Sequence, residues 1–123
     1  MLVIDDEHEV RTVLGEMLAA DGHDVVEAAG GAEGLGCLDG NDGIDVVLSD
    51  LGMPGMTGWE VARAVKARRP DLPVVIITGW GDDPVGRPED RRAADIIIAK
   101  PVTPVSLRAA LARAAAMGSE HRS

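Results

Sequence analysis

The chain has 123 residues, 46% of them apolar, which predicts one domain with its own core. A formal net charge of −9 argues against a nucleic-acid surface, because duplex binding relies on a basic stripe and counterion release. The single Cys37 excludes an internal disulfide, no Cys/His spacing reads as a zinc site, and neither a membrane span nor a signal segment is evident; a cytoplasmic location without membrane insertion is the expectation.

Apolar residues 2–4 predict a first strand, followed by a helix over residues 7–20. Val10, Val13, Leu14, Met17 and Leu18 share one face of that helix, and Gly22 ends it. A second strand is expected at 24–27 around Val25 and Val26, then a short or soft helix at 32–38, weakened by Gly34 and Gly36 at about 1 kcal/mol each relative to Ala. The third strand falls at 46–48, and a helix follows at 58–68, with Val61, Ala62 and Val65 inward and Pro70 beyond its end. A fourth strand at 74–77 leads into residues 81–92, where Pro84 and Pro88 forbid one regular helix, so the fourth helix is expected to be short or irregular and to begin near Pro88. The fifth strand lies at 96–99. The last helix is expected at 104–117, with Thr103 as cap, Pro104 in the first position, and Leu107 and Leu111 paired one turn apart.

The Val- and Ile-rich strands mostly lack polar alternation, as in parallel sheets covered on both faces. Five strand–helix alternations therefore predict an α/β domain of flavodoxin-like (βα)5 architecture, a three-layer sandwich with a parallel five-stranded sheet in the order 2-1-3-4-5. The domain is expected to occupy residues 1–117, with 118–123 a polar C-terminal tail.

Ligands of such sheets bind at the carboxyl edge. There the first strand runs into Asp5 and Asp6, the third into Asp50, the fourth into Thr78, and the fifth into Lys100 followed by Pro101. Three carboxylates in one crevice repel unless a cation neutralises them, and Mg²⁺, which takes one or two carboxylates plus water and phosphate oxygens, suits so sparse a site. A carboxylate can attack a phosphoryl group, and Asp50, ending a central strand, is the candidate nucleophile. Lys100 and Thr78 supply a positive charge and a hydroxyl for the transferred oxygens.

Four motifs in order, Ile4-Asp5-Asp6-Glu7, Asp50-Leu51-Gly52-Met53-Pro54-Gly55-Met56-Thr57-Gly58, Ile77-Thr78-Gly79 and Lys100-Pro101, resemble the response-regulator receiver family over nearly the whole chain. The resemblance implies a phosphoacceptor of two-component phosphorelays, with Asp50 phosphorylated by a histidine kinase or phosphotransfer protein. It also implies that Asp6, Asp50 and the Gly52 carbonyl ligate Mg²⁺, that Asp5 assists through water, and that Thr78 and Lys100 hold the phosphoryl oxygens. Small Gly79 leaves room for phosphate to enter.

Two features depart from that family. Receivers usually carry Tyr or Phe three residues before the lysine, where this chain has Ile97, and the sequence contains no Tyr or Phe at all. The prolines also interrupt a helix that many receivers use for signalling. Trp80 is the one aromatic near the edge, and it is expected to shield an acyl phosphate or to share the switching role. The last helix is read without an effector domain after it, so the expectation is a stand-alone receiver or an excised receiver of a hybrid histidine kinase, the latter suggested by Gly79-Trp80-Gly81.

Each residue also has a plainer reading. Asp5 or Asp6 would cap the first helix, Trp59 would pack, Met53, Met56 and Cys37 would lie in loop or core, and His8, His23 and His121 would sit at the surface. Arg87, Arg91 and Arg92 would solvate a face. Two other functions compete: a partner-binding module that does not switch by phosphorylation, and a Mg²⁺-dependent phosphohydrolase, which would want a second Asp where Gly52 stands. The favoured reading is a signalling domain rather than an enzyme acting on external substrates, with an unknown downstream partner.

Overall fold

The computed structural model describes residues 1–79 and 92–122. Five strands, β1 (Leu2–Ile4), β2 (Val26–Ala28), β3 (Val47–Asp50), β4 (Val74–Thr78) and β5 (Ile96–Ala99), form one sheet in the order β2-β1-β3-β4-β5. All four neighbouring pairs are parallel. The described helices are α1 (His8–Ala20), α2 (Gly31–Asp39), α3 (Gly58–Arg68) and α4 (Pro104–Arg122). The flavodoxin-like expectation holds in strand order and direction. The expected loop and irregular helix of residues 81–92, with Trp80, Pro84, Pro88, Arg87 and Arg91, lie outside the described residues apart from Arg92.

Alternate strand residues serve opposite faces. Leu2, Ile4, Val47, Val74 and Ile76 join Leu35 and Leu38 of α2 and Val61, Ala62 and Val65 of α3 in one core. Val3, Leu48, Val75 and Ile77 join Leu14 and Leu18 of α1 and Leu107, Leu111 and Ala114 of α4 in the other. Burying each Val, Leu or Ile side chain of these cores contributes about 2 kcal/mol. With both faces covered, these strands carry apolar residues at consecutive positions.

Helix ends follow local chemistry. Thr57 caps α3 through a capping box in which the Glu60 N–H donates to Thr57 Oγ1 at 3.3 Å and the Glu60 carboxylate accepts from the Thr57 N–H. Thr103 caps α4, as expected, accepting from the Ser106 N–H at 3.0 Å. α1 ends where Gly22 adopts φ 88, and the Gly22 and His23 N–H groups donate to Ala19 and Leu18 carbonyls.

Several boundaries differ from expectation: β3 covers Val47–Asp50 rather than residues 46–48, and α1 and β4 each shift by one residue at one end. β2 covers Val26–Ala28 rather than residues 24–27, because the Val26 N–H joins β1 by donating to the Met1 carbonyl. α2 is a full Gly31–Asp39 helix despite its glycines: a side chain at Gly34 would run into Ile4, so that glycine lets α2 sit close on β1. α4 continues to Arg122, through residues expected to form a tail.

At the amino edge of the sheet, Lys66 of α3 meets Asp95 at 2.6 Å and donates to the Leu72 carbonyl at 2.7 Å. The same Asp95 oxygen accepts the Val74 N–H at 2.8 Å, and the Asp95 N–H donates to the Val74 carbonyl. This knot fixes the start of β5 against the start of β4.

Candidate functional site

The sheet delivers the chemistry-bearing residues to its carboxyl edge. β1 ends at Ile4 and hands the chain to Asp5, whose N–H still donates to the Ala28 carbonyl of β2. Next to it β3 ends on Asp50, with Ser49 opposite Ile4. β5 ends one residue before Lys100, whose N–H donates to the Thr78 carbonyl at 2.7 Å. The Lys100–Pro101 peptide is cis.

Asp5, Asp6 and Asp50 each turn one carboxylate oxygen into a common space, and the three atoms lie within 4.8 Å of one another. Asp5 is 1% exposed and Asp50 3%, whereas Asp6 is exposed. Lys100 joins them, its Nζ 3.1 Å from Asp50 Oδ1. Thr78 stands at the end of β4 across from Ala99, and its hydroxyl donates to the Ile98 carbonyl at 3.5 Å. Gly52 lies in the exposed turn after β3. Asp5, Asp6, Asp50 and Lys100 thus come together directly, and Thr78 joins them at the same edge.

Asp5 carries the electrostatic strain of this arrangement. Burial pushes its carboxyl up to about 6, against the Glu7 N–H that donates to Oδ1 at 2.9 Å and favours the ionised form. The charges of Asp50 and Asp6 raise it further, and Lys100 lowers it. Its other oxygen, Oδ2, is buried with no hydrogen-bond partner among the described residues. Burial works against the charge of Lys100, but Asp50, helped by Asp5 and Glu7, outweighs it and raises the ammonium above its ordinary value. Three converging carboxylates with one buried oxygen unsatisfied are a donor set that a hard divalent cation would complete.

One prediction follows from Asp5. Its folded carboxyl, at about 6, lies above the 3.8 of an ordinary Asp. The folded state therefore holds the proton more tightly, and this group's favourable contribution is complete below 3.8 and lost as pH rises through 6. At 1.36 kcal/mol per pH unit, ionised Asp5 costs the metal-free protein about 3 kcal/mol at neutral pH. Asp5→Asn keeps the shape and the acceptor for Glu7, and it is expected to raise metal-free stability at pH 7.5 by about 2 kcal/mol. Urea unfolding in EDTA checks this: the gain should shrink towards zero as pH falls to 4.

The plainer readings divide. Trp59 is 7% exposed and packs in the α2–α3 core, and Met53 is buried beside it. Asp5 does not cap α1, whose N-cap is Glu7 with no side-chain cap bond. His8 is exposed and His23 partly so. Ile97 is 42% exposed on the edge strand β5, opposite Ile76.

Two residues of this edge are not conspicuous in the sequence. Gly58, first in α3, brings the helix so close that a Cβ there would stand 2.7 Å from the Asp50 carbonyl oxygen and 2.8 Å from Leu51 Cα. Arg11 of α1 reaches back to the Asp5 backbone carbonyl at 2.7 Å. The only sequence signal for Gly58 is a glycine at a helix start just after a loop, and for Arg11 a basic residue one and a half turns beyond the acidic pair.

Comparison with known proteins agrees with this geometry. The family described as response regulator receiver domain matches residues 1–112. A chemotaxis protein CheY homolog of Campylobacter jejuni is 31% identical over 122 residues, covering 97% of this chain and 94% of that protein. A response regulator receiver domain protein from Clostridium thermocellum superposes with a TM-score of 0.85 at 35% identity, covering 92% of this chain and 90% of that one. The response regulator TrrA of Thermotoga maritima, solved in complex with Mg²⁺-BeF, superposes with a TM-score of 0.82 at 27% identity, covering 92% and 96%. The chain spans only 22 to 28% of the length of several longer curated relatives that it matches.

Proposed function

This chain belongs to the response regulator receiver family, and from that premise we propose that it accepts a phosphoryl group on Asp50 in a two-component phosphorelay. The observation that carries the proposal is the placement of Asp50, 3% exposed, between two further carboxylates and the Lys100 ammonium. Among the longer relatives is a transcriptional regulatory protein of Escherichia coli, so receivers like this one also occur joined to output segments.

In the proposed reaction an Asp50 carboxylate oxygen attacks phosphorus as the N–P bond of a phosphohistidine on a kinase or phosphotransfer protein breaks. The bonding pair returns to the imidazole nitrogen, and an acyl phosphate remains on Asp50. Lys100, already beside the nucleophile, balances the charge of the non-bridging oxygens, and Thr78 offers its hydroxyl as a donor from the next strand end. Asp5, Asp6, Asp50 and the Gly52 carbonyl would hold Mg²⁺, which neutralises the carboxylates and the transferred group when bound. TrrA, solved in complex with Mg²⁺-BeF, supports the Mg²⁺ reading by similarity. A partner then reads the phosphorylated state, in a cytoplasmic setting, and the domain turns over no external substrate.

The test is incubation with Mg²⁺ and acetyl phosphate, followed by mass spectrometry. A hydroxylamine-labile phosphoryl increment that maps to Asp50 after borohydride reduction is the expected result. An increment on another residue, none at all, or rapid multiple turnover of unrelated phosphoesters would overturn the proposal.

A further inference from the structure

The geometry points to Arg11 as the positioning residue that sets the acidic pair Asp5–Asp6 for cation binding, an inference that rests on the metal-dependent reading above. β1 has its last residue paired with β2 at Ile4, opposite Ala28, and the Asp5 N–H donates to the Ala28 carbonyl, so the Asp5 carbonyl faces β2 just beyond the β1–β2 ladder. Arg11 takes it instead: Nη1 donates to that oxygen at 2.7 Å. The oxygen belongs to the planar Asp5–Asp6 peptide that joins the two Cα atoms, so holding it restrains ψ of Asp5 and φ of Asp6 together. One hydrogen bond therefore governs two members of the cluster.

Arg11 is itself held in place. Its side chain is 14% exposed, Nε lies 3.4 Å from Glu27 Oε1 of β2, and Nη2 is 3.1 Å from His8 Nδ1. Gly15, one turn further along α1, leaves room for the Glu27 carboxylate, since a Cβ there would touch its oxygen at 3.4 Å. The planar guanidinium thus bridges α1, the end of β1 and β2 without touching any carboxylate of the site. Only a forked donor spans the carbonyl and Glu27 together, and a lysine ammonium would reach one of them at a time.

Partners that orient metal ligands typically change affinity by about 10- to 100-fold when removed. The experiment is calorimetric titration of the whole chain with Mg²⁺ alone, alongside thermal unfolding in EDTA. Arg11→Ala is expected to weaken Mg²⁺ binding about tenfold. Arg11→Lys is expected to recover most of that loss, because it restores a charged donor to the carbonyl. Glu27→Ala, which removes a partly exposed support of Arg11 but leaves its bond to the carbonyl, is expected to weaken affinity less than Arg11→Ala does. Wild-type affinity in Arg11→Ala overturns the inference, as does a loss that Arg11→Lys leaves unrepaired or that simply tracks a lowered unfolding temperature. Failure of the underlying reading looks different: the unaltered chain would then show no Mg²⁺ binding, and the role assigned to Arg11 would fall with it.

Discussion

Asp50→Asn is expected to abolish the acetyl-phosphate-dependent mass increment completely while leaving the fold intact. The amide occupies the same volume at the end of β3, but a neutral amide oxygen is a poor nucleophile toward phosphorus. Neither Asp5 nor Asp6 is expected to substitute for it, because both follow β1 and Asp50 is the carboxylate that stands 3.1 Å from the Lys100 ammonium. The substitution also changes Lys100. Asp50 is the principal group that lifts the ammonium against the effect of its burial, so in Asp50→Asn the Lys100 pKa is expected to fall. Mass spectrometry checks the first expectation and NMR titration of the Lys100 side chain the second. A residual hydroxylamine-labile increment in this variant would relocate the acceptor.

Gly58→Val is expected to produce the largest loss of stability, about 3 kcal/mol. The first atom of any side chain at this position meets backbone, the Asp50 carbonyl oxygen at 2.7 Å and Leu51 Cα at 2.8 Å, and backbone cannot rotate out of the way as a side-chain tip can. Two further bonds hold that backbone: the Gly58 N–H donates to the Leu51 carbonyl at 2.9 Å, and the Leu51 N–H donates to the Ile77 carbonyl at 3.0 Å. Either α3 moves away from the sheet, uncovering Val61 and Val65, or the segment carrying Asp50 moves. Urea unfolding measures the loss, and the rate of phosphorylation in the fraction still folded shows whether the acceptor was displaced. A stability within 1 kcal/mol of the parent, a small change on this scale, would mean that α3 accommodates the side chain.

The strand order and the cluster of Asp5, Asp6, Asp50 and Lys100 were legible in the sequence because parallel topology brings every strand end to one edge. Consecutive Val and Ile residues marked strands covered on both faces, and the polar residue after each run marked the edge. Close approach was not legible. Gly34 counts as a helix defect in a propensity scale, yet it seats α2 against Ile4. Gly58 reads as an indifferent helix start although it abuts the acceptor's own carbonyl. Arg11 was silent for a related reason: its partner is a backbone oxygen, which every residue carries, so no side-chain pattern announces the pair. The length of α4 was underestimated because polar residues after Met117 look like a tail when read one by one, whereas a helix already started adds residues at little cost.

The knot at Asp95 anchors the first end of β5 through side chains as well as backbone. Its first residues are clamped through Lys66, Leu72 and Val74, while its far end carries Lys100 into the site and is joined to β4 there by the Lys100 N–H bond to Thr78. A displacement of Lys100 on phosphorylation is therefore expected to reach Ile97, three residues nearer the anchored end, in reduced form. Ile97, where the family resemblance leads one to expect an aromatic ring, is an exposed aliphatic residue on β5. Hydrogen exchange carries the signature: the Val74 amide should exchange among the slowest in the sheet, and phosphorylation should alter exchange at Lys100 far more than at Val74.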